Sequence, residues 1–316
     1  MKKMLFFRDF QAFSGGHLKV WHYFNHVNHS SNWKPYIYFT PNSIWNETNP
    51  WQESRENLIE SLDQIKPDAL FLAGLDWEIL DQLSFTLKNS LPIVNLIQHT
   101  RHSHLSDPRF RFLNRKAIRI CVSPEVKEVI ESTQIIQGPC FTIPNGLDFD
   151  QLPQPLPSEK KDISLCIAAL KQAPLGIRLK KKLEKNFPTI ELLTQPLKRE
   201  MFLNYLNRSQ ITLFLPTQEE GFYLPALEGM KLQTLVICPD CVGNRSFCHD
   251  TKNCFSPPYQ EEILESCTLQ ACNLTLEQKN KMLSHATATA AQYGLAKERE
   301  VFLNILNQIP QLWSQL

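Results

Sequence analysis

The sequence lacks an excess of charge of either sign: 33 Lys and Arg against 32 Asp and Glu leave a formal net charge of +1 over 316 residues. Such a balance gives no global field for a nucleic acid or an anionic membrane, and no nucleic-acid partner is expected. No apolar run approaches the roughly 18 residues needed to cross a bilayer. The opening MKKMLFFRDF has two lysines and a short apolar stretch. It has no small-residue cleavage site, and Arg8 and Asp9 interrupt it early, so it reads as a first strand. No P-loop and no H-E-x-x-H is present. Cytoplasmic location is expected, and the five Asn-x-Ser/Thr matches then carry no meaning.

Nine cysteines form an odd set without a small-scaffold pattern, which suits reduced thiols. Cys238, Cys241, Cys248 and Cys254 have one C-x2-C spacing but not a second. They read as small apolar side chains, with a tetrahedral zinc site as the alternative. His22 and His26 at i, i+4, and His99, His102 and His104 after a strand, are surface or cleft-lining histidines or metal ligands. No metal is expected. The one local charge run, residues 109–119, holds Arg109, Arg111, Arg115, Lys116 and Arg119. It reads as a solvated face, or as a surface for an anionic acceptor or for lipid headgroups at the inner membrane face.

Strand-like and helix-like stretches alternate along the chain. MLFFRDF, PYIYF, DALFLAG, PIVNLIQH, AIRICVS and CFTIPNG read as strands, with helices expected from Leu18, over 57–65, over 79–88 and from Pro124. The helix with Trp21, Tyr23 and Phe24 presents a core face or lines an acceptor groove. QLPQPLPSEKKD, residues 151–162, is rich in proline and charge and reads as a linker. The alternation then restarts with DISLCIAAL, a basic helix over 175–185, TIELLT, a helix from Arg199, QITLFLP and TLVICP. The fold class is α/β, with two Rossmann-like, doubly wound domains facing across a cleft at the carboxyl ends of their sheets. Boundaries are expected at 1–155 and 156–297.

The densest chemistry lies in QEEGFYLPALEGM, residues 218–230. It follows a buried strand, and Pro225 suits the first turn of a helix, so Gly221 to Leu224 sit at a strand-to-helix junction. Free backbone N–H groups at such a junction bind phosphate. Glu220 and Glu228 flank that anion site and would accept hydrogen bonds from hydroxyls on either side of it. A nucleotide sugar has that shape: hydroxyls, diphosphate, hydroxyls. The alternative is a helix N-terminus stabilised by acidic side chains.

The string EGFYLPALEGM resembles the E-G-F-G-L-P-x-L-E-A-M segment of retaining nucleotide-sugar glycosyltransferases of the group 1 (family 4) type. Other segments fit in order: Ser14-Gly15-Gly16-His17 after the first strand, PIVNLIQH ending in His99, CVSPEV, and IPNGLD at 143–148. The resemblance spans nearly the whole chain and implies a GT-B fold. It implies an acceptor domain first and a donor domain second, with residues 298–316 packing back on the first. It implies transfer of a sugar from a nucleoside diphosphate to a glycan or lipid-linked acceptor with retained configuration, as in polysaccharide biosynthesis, with no obligatory cofactor. Glu228 would hold the ribose and Glu220 the transferred sugar. Amides of Phe222, Tyr223 and Leu224, of Gly221, and of Gly15 and Gly16 would grip the diphosphate, while His99 faces the reacting sugar.

The family's arginine and lysine, in a G-R-x-x-x-x-K-G pattern, align with Leu170 and Leu175 of ALKQAPLG. Lys171 is one position off and is the expected substitute, with Arg178 and Lys180 as further candidates on the next helix. Tyr223 stands where the family has glycine. Two other readings follow from these departures: a non-catalytic nucleotide-sugar-binding subunit of another transferase, and an epimerase or phosphorylase of the same fold.

Overall fold

The computed structural model describes residues 1–82 and 91–315. Its contacts divide the chain into two units, Met1–Asn145 with Ala296–Leu316, and Gly146–Leu295. The proline-rich stretch 151–162 therefore belongs to the second unit, and the division falls at the Asn145–Gly146 bond.

The first unit holds seven parallel strands in the order β3-β2-β1-β4-β5-β6-β7. They are β1 (Lys2–Arg8), β2 (Trp33–Phe39), β3 (Leu58–Ile59), β4 (Ala69–Ala73), β5 (Ile93–Ile97), β6 (Ile118–Cys121) and β7 (Cys140–Thr142). Strands β4, β5 and β6 are buried throughout, as befits strands covered on both faces. Leu5, Phe7, Leu70 and Leu72 pack with Trp77 and Phe112 on one side of the sheet. Phe6 and Phe71, 4.6 Å apart and stacked, face helix α1 (Gly15–Asn28) on the other. Tyr23 and Phe24 of α1 pack edge-on against Phe302 and Phe6, so they form a core face. Helix α2 (Pro124–Glu131) is capped by the Ser123 hydroxyl.

Two expectations change here. The stretch 57–65 is not a helix: Leu58 and Ile59 form an edge strand against Ile37 and Tyr38, and Asn57 donates its amide to the Pro35 carbonyl at 2.8 Å. The apolar spacing of this segment mimics a helical face, but the open edge of β2 takes its backbone. The helix expected over 79–88 lies mostly outside the described residues; among those described, Asp76–Gln82 is a short 3-10 segment.

One member of the basic run departs from the expected exposed face. Arg119 is 0% exposed and cannot meet a headgroup. Its guanidinium donates to the carbonyls of Leu113, Arg115 and Gln137, satisfying backbone groups where the chain enters β6. Arg109 is bound to Asp107, Arg111 to Glu78, and Arg115 and Lys116 lie over the rings of Phe112 and Trp313. The reason is local: each cation has an acid or an aromatic face within reach. No described helix is long and apolar enough to cross a membrane.

The second unit has four parallel strands in the order β11-β10-β8-β9. They are β8 (Ile163–Ala168), β9 (Ile190–Leu193), β10 (Ser209–Phe214) and β11 (Leu235–Ile237). Their connecting helices are α3 (Ala173–Leu183), α4 (Arg199–Arg208) and α5 (Leu224–Lys231), followed by α6 (Glu261–Cys272) and α7 (Leu276–Ala290). Gly176 lets α3 close on the sheet, since a Cβ there would stand 2.4 Å from that of Ala169. The last helix, α8 (Leu295–Ser314), joins the first unit. There Glu298 is buried between Lys19, 2.7 Å away, and His26, 2.9 Å away, both on α1.

Candidate donor site

In a parallel sheet every strand delivers its following loop to the same edge, and in the second unit those loops carry the chemistry. Phe214 pairs with Ala168, so β8 and β10 end side by side. The loop after β8 therefore meets the loop after β10, and Lys171 Nζ donates to Glu220 Oε1 at 2.5 Å. Thr217 adds its amide at 3.2 Å and its hydroxyl at 2.8 Å to the same oxygen. Burial pushes the Glu220 carboxyl up, but the bonds and charge of Lys171, then Thr217, outweigh it and hold Glu220 below its ordinary value. Glu220 is a fixed acceptor at neutral pH, and Lys171, 52% exposed along its side chain, keeps a solvated face.

Of the other cations expected here, Arg178 is paired with Glu261 at 2.7 Å. Lys180 lies seven residues into the same helix, about two turns from its start. Leu175 packs against the core, and Leu170 is 38% exposed. Lys171 is thus the cation that this edge offers beside Glu220.

The turn after Glu220 is clamped from β11. Val242 donates to the Gln218 carbonyl at 3.0 Å, and the Tyr223 amide donates to Gly243 O at 2.8 Å. Gly243 must be glycine, because a Cβ would come within 2.8 Å of Glu220 Cβ and 2.9 Å of the Phe222 nitrogen. This corrects the expected amide set. The Tyr223 amide is spent on Gly243, and that of Leu224 is turned to Phe222 O at 3.2 Å. Among the described residues, the Gly221 and Phe222 amides donate to no protein acceptor. Tyr223 packs its buried ring edge-on to Phe214, under the turn rather than in it.

Glu228 falls in the second turn of α5 and is 2% exposed. Its side-chain partner among the described residues is Arg199, whose Nη2 lies 2.7 Å from Glu228 Oε1. Arg199 opens the helix after β9, so the pair joins loops from two neighbouring connections. Arg199, Thr217 and Gly243 were not singled out by sequence. The first is one cation among many, and the other two act only through contacts that the fold creates.

In the first unit the same kind of edge holds the remaining residues. Gly15 and Gly16 open α1, with Ser14 as its cap. Gln98 donates to the Gly16 carbonyl at 3.3 Å, and His99 follows it, two residues past the end of β5. His99 Nδ1 accepts the Arg101 amide at 3.1 Å, so the imidazole is oriented by its own loop. His102 is buried, and burial with the Arg109 charge draws it down to about 3, a neutral core histidine. Cys238, Cys241, Cys248 and Cys254 are buried free thiols, and Asn244 Nδ2 donates to Cys238 Sγ at 3.2 Å. Among the described residues no group of three or more His, Cys, Asp or Glu is placed to hold a metal ion.

No family model matches the sequence, and no curated protein matches it. Solved structures do resemble the fold. HepE from Anabaena, in complex with UDP, is similar at a TM-score of 0.75 and 13% identity, over 98% of this chain and 100% of that one. Sucrose-phosphate synthase from Thermosynechococcus elongatus gives 0.71 at 10% identity, over 98% and 99% of the two chains. A glycosyltransferase from Rickettsia africae gives 0.67 at 14% identity, over 98% of each. At these identities the likeness is one of fold: two Rossmann-like units, the architecture of the GT-B glycosyltransferases.

Proposed function

We propose that the chain is a glycosyltransferase that moves a sugar from a nucleoside diphosphate to a glycan or lipid-linked acceptor with retention of configuration. One observation carries the reading: a buried glutamate held by a half-exposed lysine, at a turn whose Gly221 and Phe222 amides have no acceptor among the described residues. HepE, a structural neighbour, was solved with UDP-glucose, which supports a nucleotide-sugar ligand for this fold.

In this reading the second unit is the donor domain. Glu228 accepts from the ribose, Gly221 and Phe222 donate to the diphosphate, and Glu220 accepts from hydroxyls of the transferred sugar. As the anomeric carbon–oxygen bond breaks, negative charge grows on the departing diphosphate. Lys171 stabilises it, along with the two amides, in positions that need no reorganisation. The first unit supplies the acceptor surface, and His99 and the Gly15–Gly16 turn are the groups its loops offer to the reaction. The chemistry needs no metal.

A specific observation favours a second reading, a non-catalytic donor-binding subunit: the family's two cation positions are held by Leu170 and Leu175, leaving Lys171 alone. Product analysis separates the readings. With a nucleotide sugar and a glycan or lipid-linked acceptor, a retaining transferase gives a glycoside of unchanged anomeric configuration by NMR. Bound donor without turnover indicates the subunit, and a sugar isomer formed without acceptor indicates an epimerase.

A further inference from the structure

Glu228 is a buried carboxylate in the second turn of α5, and the Arg199 ion pair is the feature of its surroundings that the proposed function leaves unused. Arg199 comes from the connection after β9, on the opposite side of β8 from β10, whose connection carries Glu228. The helix that Arg199 opens packs against the helix that carries Glu228, and the Arg199 side chain stays 32% exposed. Arg199 is partly solvated and has no need of the pair for its own charge. A carboxylate that must stay charged while buried does need such a partner, because an unpaired buried charge is costly.

We infer that Arg199 is the positioning residue for ribose recognition: it fixes Glu228 through Oε1 and presents the carboxylate to the vicinal hydroxyls of the donor's ribose. The inference rests on the donor site proposed above. Its consequence is selectivity for ribonucleotides over 2′-deoxyribonucleotides, set by a residue that touches the carboxylate rather than the sugar. A planar guanidinium suits this task better than an ammonium, because its fork holds a carboxylate in one orientation.

The test is calorimetric titration with UDP, GDP, ADP and CDP and their 2′-deoxy counterparts. Wild type is expected to bind its preferred ribonucleotide at least about tenfold more tightly than the 2′-deoxy form, since a hydrogen bond to a charged group is lost. Arg199→Ala is expected to bring that ratio close to one by weakening the ribonucleotide alone, and Arg199→Lys to recover part of it. Glu228→Gln should collapse the ratio likewise, and the double variant should lose no more, as for residues acting as one unit. Were Arg199→Ala to melt below the assay temperature, Arg199→Gln reads the same ratio. An unchanged ratio in a folded Arg199 variant overturns the inference and leaves the donor site standing. A wild type that binds none of the nucleotides overturns both.

Discussion

Lys171→Ala is expected to lower kcat/KM for sugar transfer by about a hundredfold to a thousandfold, or about 2.7–4 kcal/mol of transition-state stabilisation. The size follows from isolation. Arg178 is committed to Glu261, Leu175 to the core, and Lys171 is the cation held beside the turn that carries Glu220. Most of the loss should fall on kcat, because the diphosphate gains its charge as the bond breaks. Lys171→Arg should keep a substantial part of the rate, since it restores the charge within reach of the same turn. Glu220→Gln makes a useful contrast. It frees Lys171 and exchanges a charged sugar-binding acceptor for a neutral amide, so KM should rise along with the fall in kcat. Initial rates of nucleoside diphosphate release measure all three, and an alanine variant as fast as wild type would remove Lys171 from the chemistry.

Glu298→Ala is expected to destabilise the first unit by about 3–5 kcal/mol, the usual loss when one member of a buried ion pair is removed. In a unit of this size that lowers its melting transition by about 10 °C. Glu298 pins α8 to α1, and without it Lys19 is left charged and buried. The same contact predicts a pH dependence. Burial pushes the Glu298 carboxyl up, but the Lys19 charge and the His26 bond outweigh it and bring it down to about 2 from an ordinary 4.5. A depressed carboxylate contributes stability that is present above pH 4.5 and is lost as pH falls towards 2. The fraction at stake is about 3 kcal/mol.

His26 and His102 add an earlier loss. Burial lowers both from 6.5, so below that pH the unfolded chain takes up protons that the folded one refuses, and stability falls. Acid unfolding followed by near-ultraviolet circular dichroism should begin near pH 6 in wild type and steepen below 4.5. In Glu298→Gln the steeper limb should be shallower, since Glu220 and Asp107 are also held below their ordinary values. An acid limb identical in the two proteins would contradict the assignment.

The strands were legible because parallel, doubly covered strands write themselves as continuous apolar runs, as in ALFLA and IVNLI. The strand-to-helix turn at Gly221 was legible because glycine and proline punctuate it. What was not legible depends on partners far away in sequence. Leu58 and Ile59 become an edge strand only because β2 has an open side. Arg119 looked like part of a charged face, yet three carbonyls gathered by the fold bury it. Gly243 shapes the Glu220 turn from 23 residues downstream, and Arg199 reaches Glu228 from 29 residues upstream. The charges beside the two glutamates come from the loops after β8 and β9, and the loop after β11 shapes the turn. Even the amide donors were half misassigned, since Gly243 takes one of them and a tight turn another.

The central claim is that Glu220 and Glu228 frame a nucleoside diphosphate sugar site. A thermal-shift panel tests it most directly, with UDP, GDP, ADP, CDP and dTDP and their common sugar conjugates, on wild type and Glu228→Ala. A ligand at about a hundred times its dissociation constant adds about 2.7 kcal/mol. The account predicts that one nucleotide family raises the melting temperature of wild type by several degrees and leaves Glu228→Ala unmoved. No shift with any nucleotide in a folded wild type, or an equal shift in both proteins, would contradict it, and the two glutamates would then be structural acids, one before α5 and one in its second turn.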